Sequence, residues 1–111
     1  MDEREPTVWV PLLPTRWDEA TQSRVPSMDL NPASKFGDIR SLVDPNEPRD
    51  AVTDELNRQV DMIEFDDYIL CVGDAAFVGI TIAFALNHHG VAHILRWDRD
   101  TKSYKPEVLV A

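Results

Sequence analysis

The sequence predicts a single α/β domain: a three-stranded parallel core of βαβαβ form, extended by antiparallel hairpin strands and covered by two main helices. Three observations predict it. The continuous apolar run Tyr68–Val72 has the composition of a strand covered on both faces. Gly73-Asp74 follows it and opens a long apolar segment, Ala75 to about His88, closed by Gly90. Two further apolar runs, Asp38–Val43 and Val91–Trp97, flank this unit. Strands alternating with helices over short links form parallel sheets with right-handed crossovers.

Along the chain, residues 1–6 are expected to be a flexible N-terminus. Their acidic start, with no apolar stretch behind it, argues against a secretory signal. Thr7–Leu13 reads as a first strand, and Pro11 within it predicts an edge position, because proline has no N–H to give a ladder. Arg16–Leu30 reads as a turn and a return strand. Asn31-Pro32 opens a short helical turn, with Asn as cap and Pro tolerated at the first helical position; Gly37 ends it. Asp38–Val43 is a strand, and Asp44-Pro45-Asn46-Glu47-Pro48 a loop that two prolines keep out of any ladder.

Asp50 is the expected N-cap of a helix running to about Ile63. Val52, Leu56, Val60 and Ile63 make its apolar stripe, and Asp50, Asp54 and Asp61 lie opposite. Asp74 is the expected cap of the second helix. That helix is apolar nearly all round, which predicts burial by more than one neighbour. Its small-residue stripe Ala76, Gly79 and Ala83 offers close approach to the sheet or to a second copy. Gly90 supplies a left-handed C-cap. Val91–Trp97 and Tyr104–Val110 then close the chain as a hairpin. The segment Arg16–Ser23 echoes Arg96–Ser103, with Pro26 and Pro106 at matching places. Asp and Thr bracketing a four-residue turn predict two hairpins of one type, at the two edges of the sheet.

The 111 residues, 43% hydrophobic and 28% charged, suffice for a core without disulfides or metal. The lone Cys71 excludes an intrachain disulfide and reads as a buried hydrophobe. No apolar run approaches the ~20 residues a membrane span needs, so a soluble, cytoplasmic protein is expected. The net charge of -9 lies wholly in residues 1–67, which hold sixteen acids and seven bases; residues 68–111 hold four of each. Nucleic-acid backbones require the opposite sign, so no direct nucleic-acid binding is expected. A charged partner of the acidic half should be a basic protein. The expected partner-binding face is Asp50, Asp54, Asp61, Glu64 and Asp66.

Ligands of open α/β sheets bind at the carboxyl ends of parallel strands. Asp44, Asp74 and Asp98 follow those ends and are candidate ligands for a divalent cation such as Mg²⁺, which takes oxygen donors. Each also has a local role: before a proline turn, as a helix cap, and in a hairpin turn. No other cofactor is expected. Gly73-Asp74-Ala75-Ala76 sits where a phosphate loop would, yet it has one glycine, no lysine and a misplaced negative charge. His88 and His89 suit the helix dipole at its C-terminus. His93 falls in a strand. No serine has a glycine elbow, and Cys71 has no histidine at a supporting spacing, so no catalytic residue is expected.

Asn31-Pro32-Ala33 with Phe36-Gly37, Asp67-Tyr68-Ile69-Leu70 with Gly73-Asp74, and Arg96-Trp97-Asp98-Arg99 with Tyr104 occur together. As a set they resemble a group of short proteins of tailed bacteriophages and some bacteria, over roughly Leu30 to Val110. The group's pattern has a proline after the Gly-Asp pair and an Asn-Gly before the next strand; here Ala75 and His89-Gly90 stand there. The resemblance implies a phage context, and with it the host cytoplasm, and carries over no catalytic residue. The expectation is a non-enzymatic accessory or host-modulating interaction protein. Its alternative is a small ligand- or metal-binding module at the strand ends. A third reading is a minor structural subunit, a homo-oligomer with the apolar helix packed between copies.

Overall fold

A computed structural model describes residues 5–111, so most of the expected flexible segment over residues 1–6 lies outside the described residues. The chain builds a five-stranded sheet from β1 (Thr7–Leu12), β4 (Asp38–Val43), β5 (Tyr68–Leu70), β6 (Val91–Asp98) and β7 (Ser103–Val110), in the order β4-β1-β5-β6-β7. All neighbours are parallel except β6 and β7. The parallel core therefore has four strands, not three. β1 lies inside the sheet between β4 and β5, not at its edge. Pro11 is accommodated because pairing with β5 is confined to Val8↔Tyr68 and Trp9↔Ile69, and the register with β4 passes from Val10↔Ser41 to Leu12↔Val43. Beyond it the Ser41 hydroxyl accepts the Leu13 N–H at 3.0 Å, so the strand end stays hydrogen-bonded.

The return strand of the first hairpin does not join this sheet. β2 (Thr15–Asp18) and β3 (Ser23–Pro26) form a separate two-stranded sheet. Its turn matches that of β6–β7. The Asp18 carboxylate accepts the Ala20 N–H at 3.2 Å, and Asp98 accepts the Asp100 N–H at 2.9 Å. The hydroxyls of Thr21 and Ser23, and of Thr101 and Ser103, meet at 2.8 Å in both. Gln22 and Lys102 take the same left-handed conformation, φ 54° and 52°. The echo thus encodes one turn used twice, once at the sheet edge and once apart from it.

The acidic helix is shorter than expected. α1 spans Val52–Gln59 between 3-10 turns at Arg49–Ala51 and Val60–Met62. Asp50 lies in the first of these turns, and the N-cap is Ala51 without a side-chain bond. The apolar stripe Val52, Leu56, Val60 and Ile63 is buried as expected, against Trp9, Leu42, Val43 and Phe77. α2 (Ala75–His89) is capped by Asp74, whose carboxylate accepts the Ala76 N–H at 2.8 Å, and ends at Gly90 with φ 75°. Phe77, Thr81 and Ala85 are its fully buried residues, and half-buried Ile80 and Phe84 pack beside α1 while Ile82 and Leu86 pack on the sheet around Ile69 and Ile94. Ala76, Gly79 and Ala83 are exposed, and a Cβ at Gly79 would meet nothing within 4 Å. The small residues lie on the solvent side of the helix and do not pack on the sheet.

Both helices cover the sheet face carrying Trp9, Ile69 and Ile94. The other face, with Val8, Val10, Leu70 and Leu95, is covered by Leu30, Ala33 and Phe36 of the segment around a 3-10 turn at Asn31–Phe36. No helix among the described residues is long and apolar enough to cross a membrane.

Candidate functional site

The chain leaves β1 across one face of the sheet to reach β4, and leaves β5 across the other, through α2, to reach β6. β1 and β5 are adjacent, so their outgoing loops part and open a crevice at their carboxyl ends. This is the switch point where open α/β sheets bind ligands. A cavity of about 560 Å³ lies there. Leu12 to Thr15 line it from β1, Gly73 and Asp74 from β5, Pro45, Asn46 and Glu47 from the loop after β4, and Arg24 from β3. Gly73 holds φ 87°, and a Cβ there would stand 3.3 Å from the Leu12 carbonyl oxygen, so a side chain at this position would press on the end of β1. Arg49 reaches in from the proline loop and pairs with Asp74 at 3.3 Å. Arg24 donates to the Thr15 hydroxyl at 2.8 Å.

Of the three candidate metal ligands only Asp74 lines this crevice. Asp44 accepts the Asn46 N–H at 2.9 Å in its own turn. Asp98 is at the β6–β7 tip, where the backbone N–H of Asp100 above all holds its carboxyl below the usual carboxylate range. Among the described residues no three His, Cys, Asp or Glu side chains form a group able to hold a metal ion. The local roles of these aspartates account for their positions.

Asp50, Asp54, Asp61, Glu64 and Asp66 are all exposed. Two arginines of the same stretch form ion pairs, Arg49 with Asp74 at 3.3 Å and Arg58 with Glu55 at 2.7 Å. Gln59 and then Arg58 hold the Glu55 carboxyl below its ordinary value. Two large apolar side chains stand exposed among the acids, Met62 (48%) and Phe65 (59%). Phe65 packs edge-on against His89 and His93, ring centroids 6.3 and 6.0 Å away. The His89 ring nitrogen Nε2 is 2.9 Å from the Ile63 carbonyl oxygen, tying the end of α2 to the acidic loop.

Sequence reasoning missed the arginines of the crevice, and it missed Asp67. Asp67 is 2% exposed. Its carboxylate accepts the Thr7 N–H at 2.8 Å, the Trp9 indole N–H at 2.9 Å and the Glu64 N–H at 2.9 Å. The available signal was position: an acid immediately before a buried strand. Cys71 is half-buried, and burial pushes its thiol above the ordinary value.

No curated protein and no solved structure shows significant similarity to the chain. One protein family does: the profile described as Phage Pam3 gp32-like protein matches residues 6–110, nearly all of the chain. That match agrees with the phage group implied by the motifs above, and the chain belongs to the family of Phage Pam3 gp32-like proteins.

Proposed function

We propose that the protein is a non-enzymatic phage accessory or host-modulating factor that presents an acidic surface to a basic protein partner. The observation that supports it is the arrangement of α1 and the loop after it. Val52, Leu56, Val60 and Ile63 turn inward, and Asp50, Asp54, Asp61, Glu64 and Asp66 stay in solvent. Membership of a phage family is compatible with this role. A partner that carries nucleic acid would lose it to this surface, because both compete for one set of basic side chains. The test compares capture from host lysate by the wild type and by a variant with Asp50, Asp54 and Asp61 changed to Asn. Basic proteins should be retained by the wild type, released by about 0.5 M salt, where the Debye length is only a few ångströms, and lost with the variant. Capture that ignores both salt and the substitutions refutes the reading.

A second reading, a small-ligand module, is favoured by the crevice between β1 and β5. Its ligand would be met by Arg24 and Arg49 on one side and the Gly73 backbone on the other. Soaking crystals with nucleotides, small carboxylates and Mg²⁺ discriminates, since the acidic-surface reading leaves this crevice empty.

A further inference from the structure

The hydrogen-bond pattern fixes which groups of β7 face outward. The Leu95 carbonyl oxygen accepts the Cys71 N–H, so Leu95 directs its peptide groups toward β5. Neighbouring residues of a strand alternate in this direction. The register Leu95↔Pro106 therefore turns Tyr104, Pro106, Val108 and Val110 to the free edge, and turns Ser103, Lys105, Glu107 and Leu109 to β6. The Ala111 N–H bonded to the Gly90 carbonyl at 3.1 Å obeys the same alternation. Pro106 thus sits where its missing N–H interrupts the outer edge and nothing else. Past it, the N–H and C=O groups of Val108 and Val110 have no partner among the described residues. Their side chains are 58% and 77% exposed, on the sheet face away from the helices, as the pairing of Val108 with His93 and Val110 with Val91 requires.

We propose that this end of β7 pairs with the same strand of a second copy, forming a two-fold homodimer. In antiparallel pairing about a two-fold axis, outward residues must face outward residues. Registers that place Val108 against its own mate, or nearer the N-terminus, bring Pro106 against a carbonyl that it cannot satisfy. The register pairing Val108 with Val110 of the second copy keeps Pro106 out of the pairs these valines make and joins the N–H groups of both valines to carbonyls. Four valine side chains then meet on one face, and Leu109 stands opposite its own mate. Charge selects the same place. The chain carries -9, all of it in residues 1–67, so a second copy is repelled except at the neutral half that holds β6 and β7. α1 packs over β4, at the opposite edge of the sheet, so the pairing leaves two acidic helices at the far ends of the dimer. The pairing is independent of what those helices bind.

The contact is small, and small interfaces associate weakly. Sedimentation of the full chain from about 10 μM to about 1 mM, the range bracketing weak association, should show a monomer–dimer equilibrium. Val108→Pro removes only an outward N–H and copies what Pro106 already does. It should leave the circular dichroism and Tm unchanged and weaken dimerisation by about tenfold or more. If that variant folds poorly, Val110→Lys, which leaves the β6 ladder intact, should weaken it likewise. In a Cys71→Ser background, Leu109→Cys should cross-link two copies when diamide oxidises the thiols, since directly opposed residues are about 4.5–5.5 Å apart. Lys105→Cys lies roughly 27 Å from its mate at 3.4 Å per residue and should not. A single monomer mass at every concentration overturns the proposal. So does a dimer that both edge variants leave intact, or one that cross-links as well through residue 105 as through residue 109.

Discussion

At the scale of single residues, Asp67 shows how a polar side chain becomes part of a core. Its carboxylate collects donors from the start of β1, from the Trp9 indole and from the Glu64 backbone. Buried donors stripped of an acceptor lose the desolvation free energy that the bond had offset. Asp67→Ala should therefore destabilise the fold by about 2–4 kcal/mol, typical of a broken buried network. Chemical denaturation measures this, and a loss below about 1 kcal/mol, that of a surface change, refutes the assignment. In the sequence Asp67 looks like one more acid after Asp66, because charge alone does not tell a solvated carboxylate from one that faces three donors. Cys71 behaves in the opposite sense. Desolvation raises its folded pKa, so the thiol stays neutral at a pH where an exposed one begins to ionise. It should react with iodoacetamide at pH 8 more slowly than in the urea-unfolded chain. The sign for stability follows: any contribution is intact below the unfolded thiol's pKa and is lost as pH rises toward the raised folded value. Equal alkylation rates in the two states contradict it.

At the scale of elements, the repeated turn is the part of the fold that the sequence spells out most directly. Asp, Thr and Ser recur at the same offsets because each bonds within the turn, and local bonds are legible in local sequence. The apolar stripe of α1 is legible for the same reason: its spacing is a property of one helix. Leu56, fully buried in that stripe, should cost about 3 kcal/mol when changed to Ala, as large-to-small core substitutions do. The exposed side of α2 escapes the sequence because hydropathy counts Ala and Gly as apolar although they hide little surface. Asp98 has its pKa depressed by the Asp100 N–H first and by Thr101 after it. A carboxyl depressed in the folded state contributes stability above its unfolded pKa and loses it as pH falls through the folded value. Amide exchange at Asp100 and Thr101 should thus lose protection below about pH 4, where an unperturbed aspartate protonates, earlier than in the β6–β7 ladder. The effect should vanish in Asp98→Asn. A turn equally protected at pH 3 and pH 6 refutes it.

At the scale of the whole molecule, strand order escaped the sequence. Pro11 argued for an edge, and locally it was sound. What moved β1 inward is a non-local fact: β5 is only Tyr68–Leu70 and pairs with β1 at just two positions, so the proline falls past the ladder on that side. The crevice could not be foreseen for the same reason, since it exists only because β1 and β5 are neighbours whose connections part. Charge, by contrast, is additive along the chain, and the excess of acids over residues 1–67 is read directly from the sequence. It has a consequence for the molecule as a whole. Asp50, Asp54, Asp61 and Glu64 are exposed, and the two arginines of that stretch pair with Asp74 and Glu55. Their mutual repulsion opposes the compact state. It weakens as the Debye length falls from about 30 Å at 0.01 M salt to about 8 Å at 0.15 M. Tm should accordingly rise by a few degrees between these salt concentrations, the shift that about 1 kcal/mol produces in a domain of this size. Neutralising Asp50, Asp54 and Asp61 to Asn should raise Tm at low salt and flatten the salt dependence. A protein whose Tm falls with added salt would instead depend on attractive surface pairs, and the acidic face would then be compensated by bases within its own fold, leaving little charge to offer a partner.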